Sequence, residues 1–234
     1  MIEENEMMVF LTDPTVTAEL YTTEEVIALN TGNTLDSVKR LIRNHRADLE
    51  EFGVLGFEIR KPTTTGSVGG RPKKVYMLNQ QQATFFITLL DNTEQTVAFK
   101  KELVKQFFAM AQELAKRNVG YENGKYYSKS LDKAIQDRYG EDVKFYVYSN
   151  YANLANKTVL GKNAKQIREE HNVSKDVSVT QLITPEQQEE LENVKDRIAT
   201  LISMNLDYYA IKAIVTGNGV KELNAKYSKK KKTA

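Results

Sequence analysis

Four residues, Thr31-Gly32-Asn33-Thr34, separate two helical patterns, and they constrain the first half of this chain more than any other feature. A stop this short makes the two helices packed neighbours. Gly32 permits the left-handed backbone of a tight turn, and Asn33 or Thr34 can cap the second helix. Before the turn, Thr22-Thr23-Glu24-Glu25 spells a capping box, with Thr22 accepting from the Glu25 amide and the Glu25 side chain reaching back. A short helix carrying Val26, Ile27 and Leu29 is expected from there. After the turn, Val38, Leu41, Ile42, His45, Leu49 and Phe52 recur at helical spacing, which predicts one helix from Leu35 to Phe52. Lys39, Arg40, Arg43 and Arg46 come early in it, and Asp48, Glu50 and Glu51 come late. That order opposes the helix dipole and points to a partner at the early end.

Gly53 and Gly56 bracket the exit from this helix. Phe57-Glu58-Ile59-Arg60 and Lys74-Val75-Tyr76-Met77-Leu78 alternate like strands. Between them, Thr63 to Gly70 reads as a long hairpin loop rich in Thr, Gly and Ser. Met7 to Thr12 is a short apolar run and a further expected strand. Helix, tight turn, basic helix and hairpin make the order of a winged helix-turn-helix. Such a fold presents short polar and cationic groups to base edges in the major groove of duplex DNA. The candidates on the helix are Thr34, Ser37, Lys39, Arg40, Arg43 and Asn44, and those on the wing are Lys61, Arg71, Lys73 and Lys74. Arg suits guanine, Asn suits adenine, and Ser and Thr suit phosphates equally well. Gly70-Arg71-Pro72 can lay an arginine along a narrow minor groove. A plain wing loop touching phosphates is the alternative.

Asn79 with Gln82 forms a second capping box, opening a helix with Ala83, Phe86, Ile87 and Leu90 on its face. After a break at Asp91-Asn92, Leu103, Val104, Phe107, Met110, Ala111 and Leu114 line a longer helix. The polar segment Lys116 to Gly124 contains two glycines and marks the expected boundary. The chain is therefore expected to be α+β and mainly helical: a winged-helix domain at residues 1–117, a linker at 118–127, a helical C-terminal interaction domain at 128–220, and a basic, disordered tail at 221–234. In the second half, helices are expected near Ser130 to Tyr139, Ala164 to Glu170 and Tyr208 to Val215. Thr184-Pro185-Glu186-Gln187 is a strong helix start. Leu191, Val194, Ile198, Leu201 and Ile202 come after it at close to heptad spacing. This stripe suits a homodimer through the C-terminal domain, or packing inside its own domain.

Composition excludes several kinds of chemistry. The chain has no cysteine and two histidines, which removes disulfides, thiolate sites and multi-histidine zinc sites. His45 shares an apolar face with Leu41, Ile42 and Leu49, and His171 sits at a helix end, so neither reads as a ligand. Asp137, Glu141 and Asp142 are close in sequence but form no metal pattern, and no phosphate-cradling glycine loop is present. Tyr146, Tyr148 and Tyr151 can stack bases or pack a core. The protein is expected not to be an enzyme and to need no cofactor. No apolar run spans a bilayer and the first six residues are acidic, so a cytoplasmic location is expected. The net charge of +2 is unevenly spread: residues 31–80 carry nine Lys or Arg against five acids, and residues 221–234 carry six Lys against one. Duplex DNA attracts such basic segments through counterion release.

The run Tyr21-Thr22-Thr23-Glu24-Glu25-Val26, then Leu35-Asp36-Ser37-Val38, resembles the start of the Rha family of phage regulatory proteins. Gly70-Arg71-Pro72-Lys73-Lys74-Val75-Tyr76-Met77-Leu78-Asn79, Ala98-Phe99-Lys100 and Phe107-Phe108-Ala109-Met110 fit the same family, covering about residues 20–115. The resemblance implies a winged helix and a role in phage transcription or antirepression within a bacterial host. The wing is longer and richer in Gly and Thr than that pattern. Tyr148-Ser149-Asn150-Tyr151-Ala152-Asn153-Leu154, Val159-Leu160-Gly161-Lys162 and Ile167-Arg168-Glu169-Glu170 are similar to C-terminal domains of Gram-positive phage antirepressor-like proteins. Neither resemblance brings catalytic residues. The partners implied are double-stranded DNA, with a repressor or other regulatory protein as the alternative.

Overall fold

Across residues 7–60 and 72–217, which the computed structural model describes, the chain is α+β and mainly helical, with a small sheet near its start. Lys61, Arg71 and the basic tail at 221–234 lie outside the described residues. The chain divides into two units, Met1–Asp13 with Thr17–Leu114, and Pro14–Val16 with Ala115–Ala234.

The first unit runs β1 (Phe10–Leu11), β2 (Leu20–Thr23), α1 (Glu24–Thr31), α2 (Leu35–Asn44), α3 (Arg46–Glu50), β3 (Gly56–Arg60), β4 (Lys73–Asn79), α4 (Gln80–Thr88) and the start of α5 (Glu94–Tyr139). The sheet is antiparallel in the order β1-β2-β4-β3, so β3 is an edge. The β3–β4 hairpin pairs Gly56 with Met77 and Arg60 with Lys73. Ile27, Val38, Ile42, Leu49, Leu78 and Phe86 meet in one buried cluster beneath α1, α2 and β4.

Several local expectations change in this unit. β2 is a strand that no pattern in the sequence marked. Thr22 is part of it, pairing with Leu78, so its backbone is extended and its side chain is buried. The cap moves one residue on: Thr23 Oγ1 accepts from the Val26 amide at 3.3 Å, and the expected Thr22 box does not form. Gly32 takes the left-handed backbone the turn needs, at φ +71°. The expected helix from Leu35 to Phe52 bends at His45, whose φ and ψ of −107° and 26° leave the helical region. The bend buries Leu49 fully and brings the Phe52 ring to 5.6 Å from Phe85 of α4. It also removes the expected conflict with the dipole. The acids belong to α3 and beyond, while α2 has Asp36 in its first turn and Arg43 in its last, in line with its dipole. The Asn79–Gln82 capping box forms as expected.

In the second unit, the later part of α5 is followed by α6 (Phe145–Leu160), α7 (Ala164–Glu170), a 3-10 turn (Val179–Gln181), α8 (Pro185–Ser203) and α9 (Tyr208–Val215). Residues 118–127, expected as a linker, lie within continuous helix. Gly120 serves packing there. A Cβ on Gly120 would stand 2.0 Å from Gln188 Oε1 of α8, so the absence of a side chain is what admits Gln188. The Gln188 amide donates to the Arg117 carbonyl at 2.9 Å and the Thr180 carbonyl at 2.7 Å. Lys195, also on the buried side of α8, donates to Ser128 Oγ at 2.9 Å.

Thr184, Pro185 and Gln187 start α8 as expected, with a complete capping box. The α8 stripe faces its own unit's core: Leu191, Ile198 and Ile202 are buried, and Val194 and Leu201 pack against that cluster. Tyr151 is buried and its hydroxyl lies 2.8 Å from that of Tyr139, Tyr148 packs on the core, and Tyr146 is exposed.

Candidate nucleic-acid interface

The candidate site is assembled around α2, which succeeds α1 after the turn at 32–34. Thr34 caps α2. Its hydroxyl oxygen accepts from the Ser37 amide at 3.2 Å and donates to the Ser37 hydroxyl at 2.8 Å. These two hydroxyls stand together at the start of the helix. Val38 and Ile42 anchor the inner side. Helical spacing then turns Asp36, Arg40, Arg43 and Asn44 outward, where all four are exposed. Among the described residues, Arg40 and Arg43 have no ion-pair partner, whereas Arg46, just past the bend, pairs with Glu50 at 2.8 Å. Ser37, Arg40 and Asn44 also line a shallow cleft with Asn33, Leu89 and Asp91.

Lys39 is different. Its ammonium lies 3.3 Å from Glu24 Oε1 and donates to the Lys74 carbonyl of β4 at 2.9 Å. The Glu24 side chain is wholly buried, that of Lys39 only 17% exposed. Burial pushes the Glu24 carboxyl above its ordinary range. Its own amide, Lys39 and the Tyr76 amide pull the other way, without a fully formed hydrogen bond to either oxygen. Lys39 thus ties α2 to α1 and β4, and its cation is spent inside the unit.

Two cations on the stem of the hairpin, Arg60 and Lys73, are neutralised in the same manner. Glu25 Oε2 accepts from Arg60 Nη1 and Glu25 Oε1 from Lys73 Nζ, both at 2.6 Å. Arg60 pairs with Glu58 as well. Lys74 places its ammonium 3.8 Å from the centre of the Phe57 ring and 4.8 Å from that of Tyr76. This holds the charge at the surface without cancelling it.

Of the ten candidates, the structure brings Thr34, Ser37, Arg40, Arg43 and Asn44 onto one accessible stretch of α2. It gives Lys39 and Lys73 internal acids, and Lys61 and Arg71 fall outside the described residues. Glu24 and Glu25 were legible only as cap residues. Glu25 and Lys73 are 48 positions apart in sequence, and no local pattern announces such a pair. Among the described residues, no group of three or more His, Cys, Asp or Glu could hold a metal ion, and no helix is long and apolar enough to cross a membrane.

Residues 22–112, within the first unit, are similar to the family of the phage regulatory protein Rha, a regulatory family. No curated protein matches the chain.

Proposed function

We propose that this protein is a phage or prophage transcriptional regulator that binds duplex DNA through a winged helix in its first unit. In this reading α2 enters the major groove. Arg40, Arg43 and Asn44 meet base edges, while Thr34 and Ser37 meet phosphates. Lys74 and the wing cations Lys61 and Arg71 contact the backbone or minor groove. Lys39 acts from behind, fixing the helix against α1 and β4. Residues 128–220 serve as an interaction domain for a protein partner or for self-association, and the protein acts in the bacterial cytoplasm.

The observation that carries the proposal is the pair of exposed arginines on the outward side of a short helix, without an ion-pair partner among the described residues, one turn apart and beside the Thr34 and Ser37 hydroxyls. The match to a phage regulatory family supports the same reading. The test is selection of bound fragments from a randomised duplex pool. A recurring motif is expected, and its enrichment should vanish for Arg40→Ala combined with Arg43→Ala. Retention of all sequences alike by wild type, unchanged in the double variant, would exclude α2 as the reader.

A second reading, an antirepressor that sequesters a repressor protein, is favoured by the edge strand β3. It exposes Phe57 and Ile59 on one side and is followed across the hairpin by the exposed Lys74. Capture of a repressor by a protein that fails to enrich any DNA motif would select this alternative.

A further inference from the structure

The hairpin stem carries Arg60 and Lys73 directly opposite each other in the β3–β4 register. By sequence Lys73 is one of the wing cations expected to meet DNA, and Arg60 is a strand residue with no assigned role. In the fold one carboxylate spans both, with each Glu25 oxygen 2.6 Å from one of them. Glu58 pairs with Arg60 in addition. Glu25 and Glu58 balance Arg60 and Lys73, which leaves Lys74 as the stem's net positive charge among the described residues. We propose that Glu25 is a specificity-determining residue, which withholds Arg60 and Lys73 from the phosphates of random DNA. The inference rests on the DNA-binding reading above and adds to it a residue that reads no base.

Stem cations can reach the sugar-phosphate backbone, and backbone contacts carry no sequence information. Each phosphate they neutralise strengthens binding to every duplex by releasing a counterion. A regulator must instead keep its binding to random DNA weak, because random sites vastly outnumber the correct one. Glu25 is suited to this by position. It is the second residue of α1, immediately after the fully buried Glu24 and two residues after the capping Thr23, so its backbone is fixed. Its side chain remains 27% exposed, and those of Arg60 and Lys73 are 49% exposed. Pairs this open add little to fold stability. Their larger effect is on the field that the hairpin presents to a polyanion.

The experiment compares dissociation constants against salt concentration for wild type, Glu25→Gln, Glu25→Asp and the triple variant Glu25→Gln/Arg60→Gln/Lys73→Gln. Each is measured on a selected site and on scrambled duplex of equal length, after thermal unfolding confirms a folded protein. Glu25→Gln is expected to bind scrambled DNA about tenfold more tightly, with a salt slope steeper by about one to two. The selected site should gain less, so discrimination falls. Aspartate is one methylene shorter and cannot span both cations, so it should fall in between. The triple variant should return scrambled binding to the wild-type level. If wild type binds its site and Glu25→Gln changes neither affinity nor slope on scrambled DNA, or tightens both DNAs equally, the inference is overturned while the DNA reading stands. If neither protein retains either duplex, both fail together.

Discussion

Lys39 and Arg40 are adjacent in sequence and occupy different worlds in the fold. A step of one residue turns a helical side chain by about 100°. That step carries Lys39 into a pair with the buried Glu24 and leaves Arg40 on the open side of α2, with no ion-pair partner among the described residues. The same contrast separates Arg43 from Lys73, which is held by Glu25. A basic segment is therefore two populations of charge. One positions the helix and the hairpin relative to each other, and the other is available to a ligand. Substitution should separate them: the first should alter stability, the second binding.

The largest effect is expected from Lys39→Met. It strands a buried carboxylate and should cost about 3 kcal/mol of stability, read from urea unfolding. The loss should depend on pH. Burial raises the Glu24 carboxyl, so the folded protein holds that proton more tightly than the unfolded chain does. Stability thus falls as pH rises from the ordinary carboxylate range through the raised value, and removing Lys39 enlarges the fall. The deficit should be larger at pH 7 than below about pH 4, where the group is protonated in both states. An equal deficit at both pH values would break the contrast, because Lys39 would then matter as packing alone.

Arg40→Ala should show the opposite profile. Stability should stay within about 0.5 kcal/mol of wild type, while affinity for a selected site should drop by about 1–3 kcal/mol and hardly move on scrambled DNA. Equal losses on both duplexes would make Arg40 a phosphate contact. A loss of stability as large as that of Lys39→Met would erase the distinction between the two sides of α2.

Gly120→Ala carries the comparison into the second unit, where surroundings again override residue type. Alanine is the better helix former by about 1 kcal/mol, but its Cβ would collide with Gln188. Overpacking costs about 1–3 kcal/mol, so a net destabilisation of about 1 kcal/mol is expected in thermal or urea unfolding. A more stable variant would mean that Gln188 moves aside freely. The smallest effect belongs to Lys73→Ala. Because Glu25 already neutralises this cation, the salt slope of DNA binding should change by less than about half a unit. A change of a full unit would show that Lys73 reaches phosphate despite Glu25.

The features legible in the sequence were those that local chemistry determines. The Thr31–Thr34 turn, the boxes at Asn79 and Thr184, and the strands β3 and β4 all arise from residues within a few positions of each other. The misreadings share another cause. Thr22 looked like a cap because its pairing with the distant Leu78 is not visible locally. Leu35 to Phe52 looked like one helix because a bend at His45 preserves apolar spacing on both sides. Gly120 looked like part of a linker because Gln188, 68 positions on, is not visible beside it locally. In the candidate site, periodicity gave the outward placement of Arg40 and Arg43. The commitment of Lys39 and Lys73 to Glu24 and Glu25 came only from the tertiary fold.

The bend at His45 limits how much text one copy can read. With ten residues, α2 is about 15 Å long. Duplex DNA advances about 3.4 Å per base pair, so the helix lies alongside roughly four letters. A four-letter word recurs by chance about once in 256 positions, against the roughly 10⁶–10⁹ competing positions in a genome. On the DNA-binding reading, α2 therefore spells a syllable rather than an address. The rest of the address must be written by the hairpin, by the stiffness of the duplex, or by a second copy reading a second syllable at a fixed distance.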